Sequence, residues 1–205
     1  MVAAMDFGFD SLLGIALGVG LAAATGFRVF LPLLCAGIAA RAGWVPLADG
    51  FAWLASSPAL VALGTAAALE VLAYAVPGVD HALDVLAGPA TVAAGVVASA
   101  SVMAEVPPAV MWPVAIIAGG GIAGLTKGSA AVVRAKAGLA TGGLANPVLS
   151  SVESVGAALL SLLAIAVPLV ALVAVAAFLA FATRRAGRLV FGRRGTATGP
   201  RAAGP

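Results

Sequence analysis

The sequence predicts an all-α protein, a polytopic bundle of transmembrane helices with five to six spans, some of them broken or half-helices. Three observations predict it. Hydrophobic residues make up 62% of the chain and charged residues 9%, whereas about a quarter of a soluble domain is charged. Long apolar runs recur from end to end, separated by Pro- and Gly-rich turns such as Pro77-Gly78 and Pro107-Pro108. Arg28 stands alone in Ser11 to Ala40, a stretch that holds no other charged side chain. A guanidinium in hydrocarbon costs about 3 kcal/mol or more, so it faces a partner, a cavity or an interface.

The charge is divided along the chain. Before Thr183 five Lys or Arg stand against eight Asp or Glu, and from Arg184 onward there are six Arg and no acid. The net charge of +3 therefore belongs to the tail. The reading is one transmembrane domain over 1–183 followed by a basic, disordered tail over 184–205. By the positive-inside rule the tail is cytoplasmic, which makes this a multi-pass protein of the cell (inner) membrane. Arg184 to Arg194 are expected to touch anionic lipid head groups, at about 1 kcal/mol per Arg near the surface. Nucleic acid is not an expected partner, because no aromatic interleaving or fold motif accompanies these arginines. The single cysteine, Cys35, reads as a small buried hydrophobe. Asp6 and Asp10, with no Lys or Arg before the first apolar run, argue against a cleaved signal peptide.

Taken in order, Thr25-Gly26 and Pro32 divide the first apolar stretch into Ser11–Ala24 and Phe27–Ala40. The expectation is one long tilted helix or, preferably, two half-helices. Gly14 and Gly18 form a small-xxx-small pair for close helix approach. Residues 41–57 are a loop whose Trp44 and Trp53 suit head-group anchoring. Spans follow over Pro58–Val76, with Glu70 in its body, over Gly88–Met103, and from Trp112 to Thr126. Lys127 to Asn146 is less apolar, and a short helix capped by Arg134 is expected over Ser129–Ala137. Pro147–Ala182 is 36 residues, about 54 Å as helix. It must tilt, kink at Pro168, or turn there and cross twice.

GVGLAAAT at 18–25 and GGGIAGLT at 119–126 align without a gap, pairing Gly18 with Gly119 and Thr25 with Thr126. This suggests a duplication of residues 11–103 and 113–182, a 3+3 inverted repeat enclosing a site near midplane.

Four motifs stand in order: TGFRVFLPLL (25–34), LEVLAYAVPGVDHALD (69–84), AGGGIAG (118–124) and TGGLANPVLSSVES (141–154). With the hydropathy, they resemble the bacterial integral-membrane family catalogued as domain of unknown function 4126, over roughly residues 10–180. The resemblance implies a multi-pass inner-membrane protein and brings no assigned activity, so function rests on the residues.

Arg28, Glu70 and Glu153 form the first candidate constellation, either a charge-lined cavity with a proton-responsive carboxylate or a structural ion pair. Thr25, Gly26, Thr126 and Asn146 form the second, because helix starts beside Gly-rich breaks suit anionic groups. For Asn146 the plainer reading is an N-cap ahead of Pro147 at N1. Asp80 and Asp84 share a helical face with His81 between them, but acids in a first turn explain them better than a metal does. Gly119-x-Gly121-x-x-Gly124 has no βαβ context, so it reads as a helix contact, with Gly120, Gly124 and Gly128 along it. A single His excludes HExxH, and no GxSxG or GxxxxGK[ST] is present. No enzyme, cofactor or metal is expected. The favoured expectation is a small-solute transporter or channel, anion-conducting or proton-coupled, with Arg28 as binding or gating charge. The alternative is a non-transporting membrane scaffold or lipid-interacting protein. The glycine faces would also allow a homo-oligomer.

Overall fold

A computed structural model describes the backbone of residues 8–74, 79–142 and 144–191 and, within these, the side chains of all but 74, 79–86, 183 and 185–191. The described chain is all helical. Its elements are α1 (Phe9–Thr25), α2 (Phe30–Arg41), α3 (Ser57–Tyr74), α4 (Val79–Ser101), α5 (Pro108–Val114), α6 (Gly121–Thr141), α7 (Asn146–Ala166) and α8 (Pro168–Phe191). A π-helical turn, Ala115–Gly120, joins α5 to α6 without a break. It follows Pro113, whose missing N–H removes one ladder bond. Pro108–Thr141 and Asn146–Ala166 are long and apolar enough to cross a bilayer, and five shorter apolar helices accompany them.

α1 is the central helix. Every residue from Ala16 to Thr25 is buried, as expected of a helix apolar all round its surface. Gly26 to Val29 then turn the chain back. Trp44 and Val45, just past α2, share a cavity with Asp10, Leu13 and Leu17 at the start of α1. The first apolar stretch is therefore an antiparallel hairpin of two helices. α3 returns along α2, with Ser57 at Arg41 and Glu70 at Val29. α4 comes back down beside α1, where Gly18 meets Ser99 and Gly14 meets Met103.

From Pro108 the chain rises again, and Thr126 packs against Gly26 at the hairpin tip. The helix does not stop there. It runs on to Thr141, where Gly142 in the left-handed region (φ +60°) ends it. The separate helix over Ser129–Ala137 is thus part of one continuous helix, because neither Lys127 nor Gly128 breaks an α-helical ladder. α7 descends from Ser150 at the tip to Ile165 near Leu13. At Val167 (φ −143°, ψ 76°) and Pro168 the chain reverses. α8 then climbs beside α1, with Val175 against Val19 and Ala23 and Phe178 against Phe27. Of the three outcomes open to Pro147–Ala182, the chain turns and runs back. Among the described residues this makes seven helical legs, α1, α2, α3, α4, α5–α6, α7 and α8, not five or six. α4 begins at Val79, earlier than the Gly88 expected, and α8 continues through Arg184 to Phe191.

The two matched segments run in the same direction. Gly18 and Gly119 both press on Ser99, and α1 and α6 are each antiparallel to α4: residues 14 and 18 meet 103 and 99, while 119 and 124 meet 99 and 92. Whatever relates them keeps helix direction, so the inversion expected between the halves does not hold at these segments. The reason is the count of legs: three (α2, α3 and α4) lie between the matched motifs, so the chain reverses four times, and an even number of reversals restores direction.

Candidate functional site

Three elements converge on the tip of the α1–α2 hairpin. Thr25 is buried and its Oγ1 donates to the Leu21 carbonyl (2.8 Å), a back-bond that bends helices. Gly26 follows in contact with α6. A Cβ there would lie 2.4 Å from Thr126 Cβ and 2.7 Å from the Ala123 carbonyl, so only glycine fits. Thr126 is itself buried, and its hydroxyl has no hydrogen-bond partner among the described residues. The two Gly-Thr elements are thus close-packed against each other, with no cavity between them.

Arg28 is 0% exposed. Its Nε donates to Ser154 Oγ (2.9 Å), and its Nη2 donates to Ser150 Oγ (2.6 Å) and the Ser150 carbonyl (2.8 Å). Ser150 and Ser154 are one turn apart on α7, and Ser154 Oγ donates in turn to the Ser150 carbonyl (2.9 Å). The guanidinium fastens the non-helical tip to α7 through charge-assisted bonds, about twice as strong as neutral ones.

Glu70 has a task that its place in an apolar run does not reveal. One carboxylate oxygen accepts from Val29 N–H (2.8 Å) and the other from Phe30 N–H (3.2 Å). Those are the first N–H groups of α2, which no intrahelical carbonyl can reach. Glu70 caps a helix start, where the dipole favours negative charge.

Glu153 sits on α7 between the two serines and is buried. It forms a salt bridge with Arg134 of α6, also buried. Arg28 and Lys127 lie within electrostatic reach of the same carboxylate. Arg134 therefore does not cap a short helix but ties the upper parts of α6 and α7 together. Asn146 lies two turns further up α7, facing Gly138. The capping position belongs to Ala145, whose carbonyl accepts from Leu149 N–H (3.0 Å), with Pro147 in the first turn. Asn146 is thus neither the cap nor part of the tip cluster.

The structure brings together Arg28, Glu70, Glu153, Thr25, Gly26 and Thr126. Ser150, Ser154 and Arg134 complete the cluster and were not singled out for it. The run Ser150-Ser151-Val152-Glu153-Ser154 carries the missed signal, two serines at i and i+4 beside an acid in an apolar helix. The side chains of Asp80, His81 and Asp84 lie outside the described residues, as does Gly143. Among the described residues no group of His, Cys, Asp and Glu gathers as a metal site. Chemically, the tip is a cation held in part by hydroxyls, beside the Arg134–Glu153 ion pair.

The family model described as Domain of unknown function (DUF4126) matches residues 15–188. No curated protein and no solved structure matches the chain. The matched region runs from the first turns of α1 nearly to the end of α8, so the hairpin tip and every residue clustered on it lie within it: the chain belongs to the DUF4126 family.

Proposed function

We propose that this protein crosses a membrane with its seven helical legs and passes a small solute, an anion in the first instance, with Arg28 as its gating charge. The membrane reading is supported by what the two ends carry. Trp44, Trp53 and Trp112 are all exposed and belong to the end where α1 starts, as interface anchors do. Lys127, Arg134, Lys136 and Arg184 belong to the opposite end, the cytoplasmic one by the positive-inside rule. With seven legs the N-terminus is outside and the C-terminus inside. The bilayer and, through the arginines from Arg184 to Arg194, its anionic head groups are the partners this implies. A homo-oligomer fits the same picture.

The observation that carries the solute reading is the fully buried guanidinium at a helix break, bonded to Ser150 and Ser154. Non-helical backbone at membrane depth is tolerated only inside protein or beside a cavity. A hydroxyl releases a guanidinium more readily than a carboxylate does, so these serine contacts are the ones an entering anion displaces. Glu153, between the serines, is the group whose protonation would couple to the exchange. The contacts run between rigid elements, so a small movement of α7 against the hairpin suffices.

A second reading, a non-transporting scaffold or lipid-interacting protein, is favoured by the close packing of Gly26 on Thr126. Flux separates the two. Purified protein in vesicles is tested with chloride, nitrate and phosphate gradients. The transport reading expects flux that Arg28→Ala abolishes and Ser150→Ala reduces. Absence of flux from the unaltered protein, or undiminished flux through a folded Arg28→Ala variant, establishes the scaffold reading instead.

A further inference from the structure

A second site is built at the opposite end of the bundle from Arg28. The start of α1, the chain just after α2, the α4–α5 connection and the α7–α8 turn enclose a cavity of about 310 Å³. That volume is at the lower end of the range for small-molecule pockets. Its inner wall is apolar, formed by Leu13, Leu17 and Ile165. Its other lining residues include Asp10 and Glu105, both exposed carboxylates, and Trp44, which is 73% exposed. Gly14 lies between Leu13 and the α4–α5 connection and adds no side-chain volume.

The acidic side of this cavity is fixed in place. Ser11 Oγ donates to the Glu105 carbonyl (2.9 Å), tying the α4–α5 connection to α1. Val106 N–H donates to the Met103 carbonyl (3.2 Å) and tightens the same turn. The Pro107-Pro108 pair that follows stiffens the backbone further. Glu105 and Asp10 are thereby held on adjacent segments beside one opening. Arg41, at the end of α2, does not line the cavity and donates to Ser57 Oγ (2.7 Å).

We propose that this cavity binds an organic cation with an apolar body, such as a lipophilic or aryl-substituted quaternary ammonium. The apolar wall takes the body of the ligand by removing it from water. The two carboxylates complement its charge, and the Trp44 indole offers a cation–π face. The site is separate from the Arg28 centre: they lie at opposite ends of α1, share no residue, and would select ions of opposite sign. The occupant is a free cation reaching the cavity from the Trp44 side, not a lipid amine.

The test uses the full-length protein in nanodiscs and equilibrium binding of benzyltrimethylammonium, with neopentylbenzene as the uncharged compound of the same shape. The ammonium is expected to bind and the hydrocarbon to bind at least tenfold more weakly. Asp10→Asn and Glu105→Gln are each expected to weaken binding about fivefold. Both residues are exposed, so these variants keep the fold, and unchanged thermal unfolding checks that. Trp44→Ala is expected to lower affinity for the aryl ammonium more than for tetramethylammonium. Equal binding of the hydrocarbon, or undiminished binding in the double carboxylate variant, overturns the proposal. Nanodiscs with and without phosphatidylethanolamine identify the source. Unchanged affinity supports a free cation, whereas strong competition assigns the cavity to a lipid head group and overturns that assignment. None of these outcomes bears on anion flux through Arg28, so the two readings stand or fall separately.

Discussion

The charged residues at the hairpin tip are held by groups that sequence spacing does not reveal. Arg28 reaches across 122 residues to Ser150 and 126 to Ser154. Removing the guanidinium deprives two hydroxyls of a donor and the Ser150 carbonyl of one of its two side-chain donors, and opens a void in a close-packed site. Arg28→Ala should destabilise the folded protein by roughly 3 kcal/mol. Arg28→Lys, which cannot fork onto both serines, should cost less, and thermal unfolding in detergent orders the three proteins. The Glu153–Arg134 pair gives a sharper test, because each side chain is only 7% exposed. Losing one partner of a buried pair costs about 3–5 kcal/mol, whereas replacing both by apolar residues of similar size is near neutral. Glu153→Leu alone should therefore lower the melting temperature strongly, and Glu153→Leu with Arg134→Met should restore most of it. A double variant as unstable as the single one would show that the pair is not the unit. Sequence reasoning found Arg28, Glu70 and Glu153 because a charge in an apolar run is conspicuous. What it could not read is that Glu70 caps α2, because the N–H groups it accepts from are backbone, and backbone leaves no mark in the sequence.

At the scale of elements, the helices meet through glycine and alanine seams. Gly18 of α1 and Gly119 of the π-helical turn close on Ser99, and Gly95 meets Ala123 of α6. These contacts let backbones approach where larger side chains would hold them apart. Gly119→Ala would place a Cβ 2.6 Å from Ser99 Cβ and 2.9 Å from the Gly95 carbonyl. It should cost about 1–3 kcal/mol by overpacking. Gly121→Ala, two residues on with open space around it, should instead be neutral or stabilise by up to about 1 kcal/mol. A thermal shift of the same size and sign in both variants would refute the seam. The four-residue glycine spacing was legible in part: Gly120 and Gly124 face Val92, while Gly128 has nothing within 4 Å among the described residues. The hairpin at Gly26 to Val29 was visible as a break. Its direction was not, because a break between half-helices and a full reversal use the same residues.

At the scale of the whole molecule, seven legs put the two ends of the chain on opposite sides. In the proposed membrane setting, a reporter at the N-terminus and one after Phe191 should respond on opposite faces of intact cells. The N-terminal one should be accessible from outside and the C-terminal one from the cytoplasm. Both on one face would rule out a seven-leg crossing. The four reversals between the matched glycine motifs also fix that α1 and α6 run parallel, against the inverted arrangement expected. By itself the sequence determined that the chain is helical, which family it joins, that it breaks at Gly26, at Pro107-Pro108 and at Pro168, and which charges are out of place. Each follows from composition and from local spacing along one strand of backbone. The tertiary structure alone decided that Pro147–Ala182 doubles back at Val167, that the two hydroxyls on α7 grip Arg28, and that the cavity lies beneath Trp44 rather than between the two threonines. Those outcomes depend on which surfaces meet. Several partners of equal apolar character were available to every helix, and only packing the whole set at once selects among them.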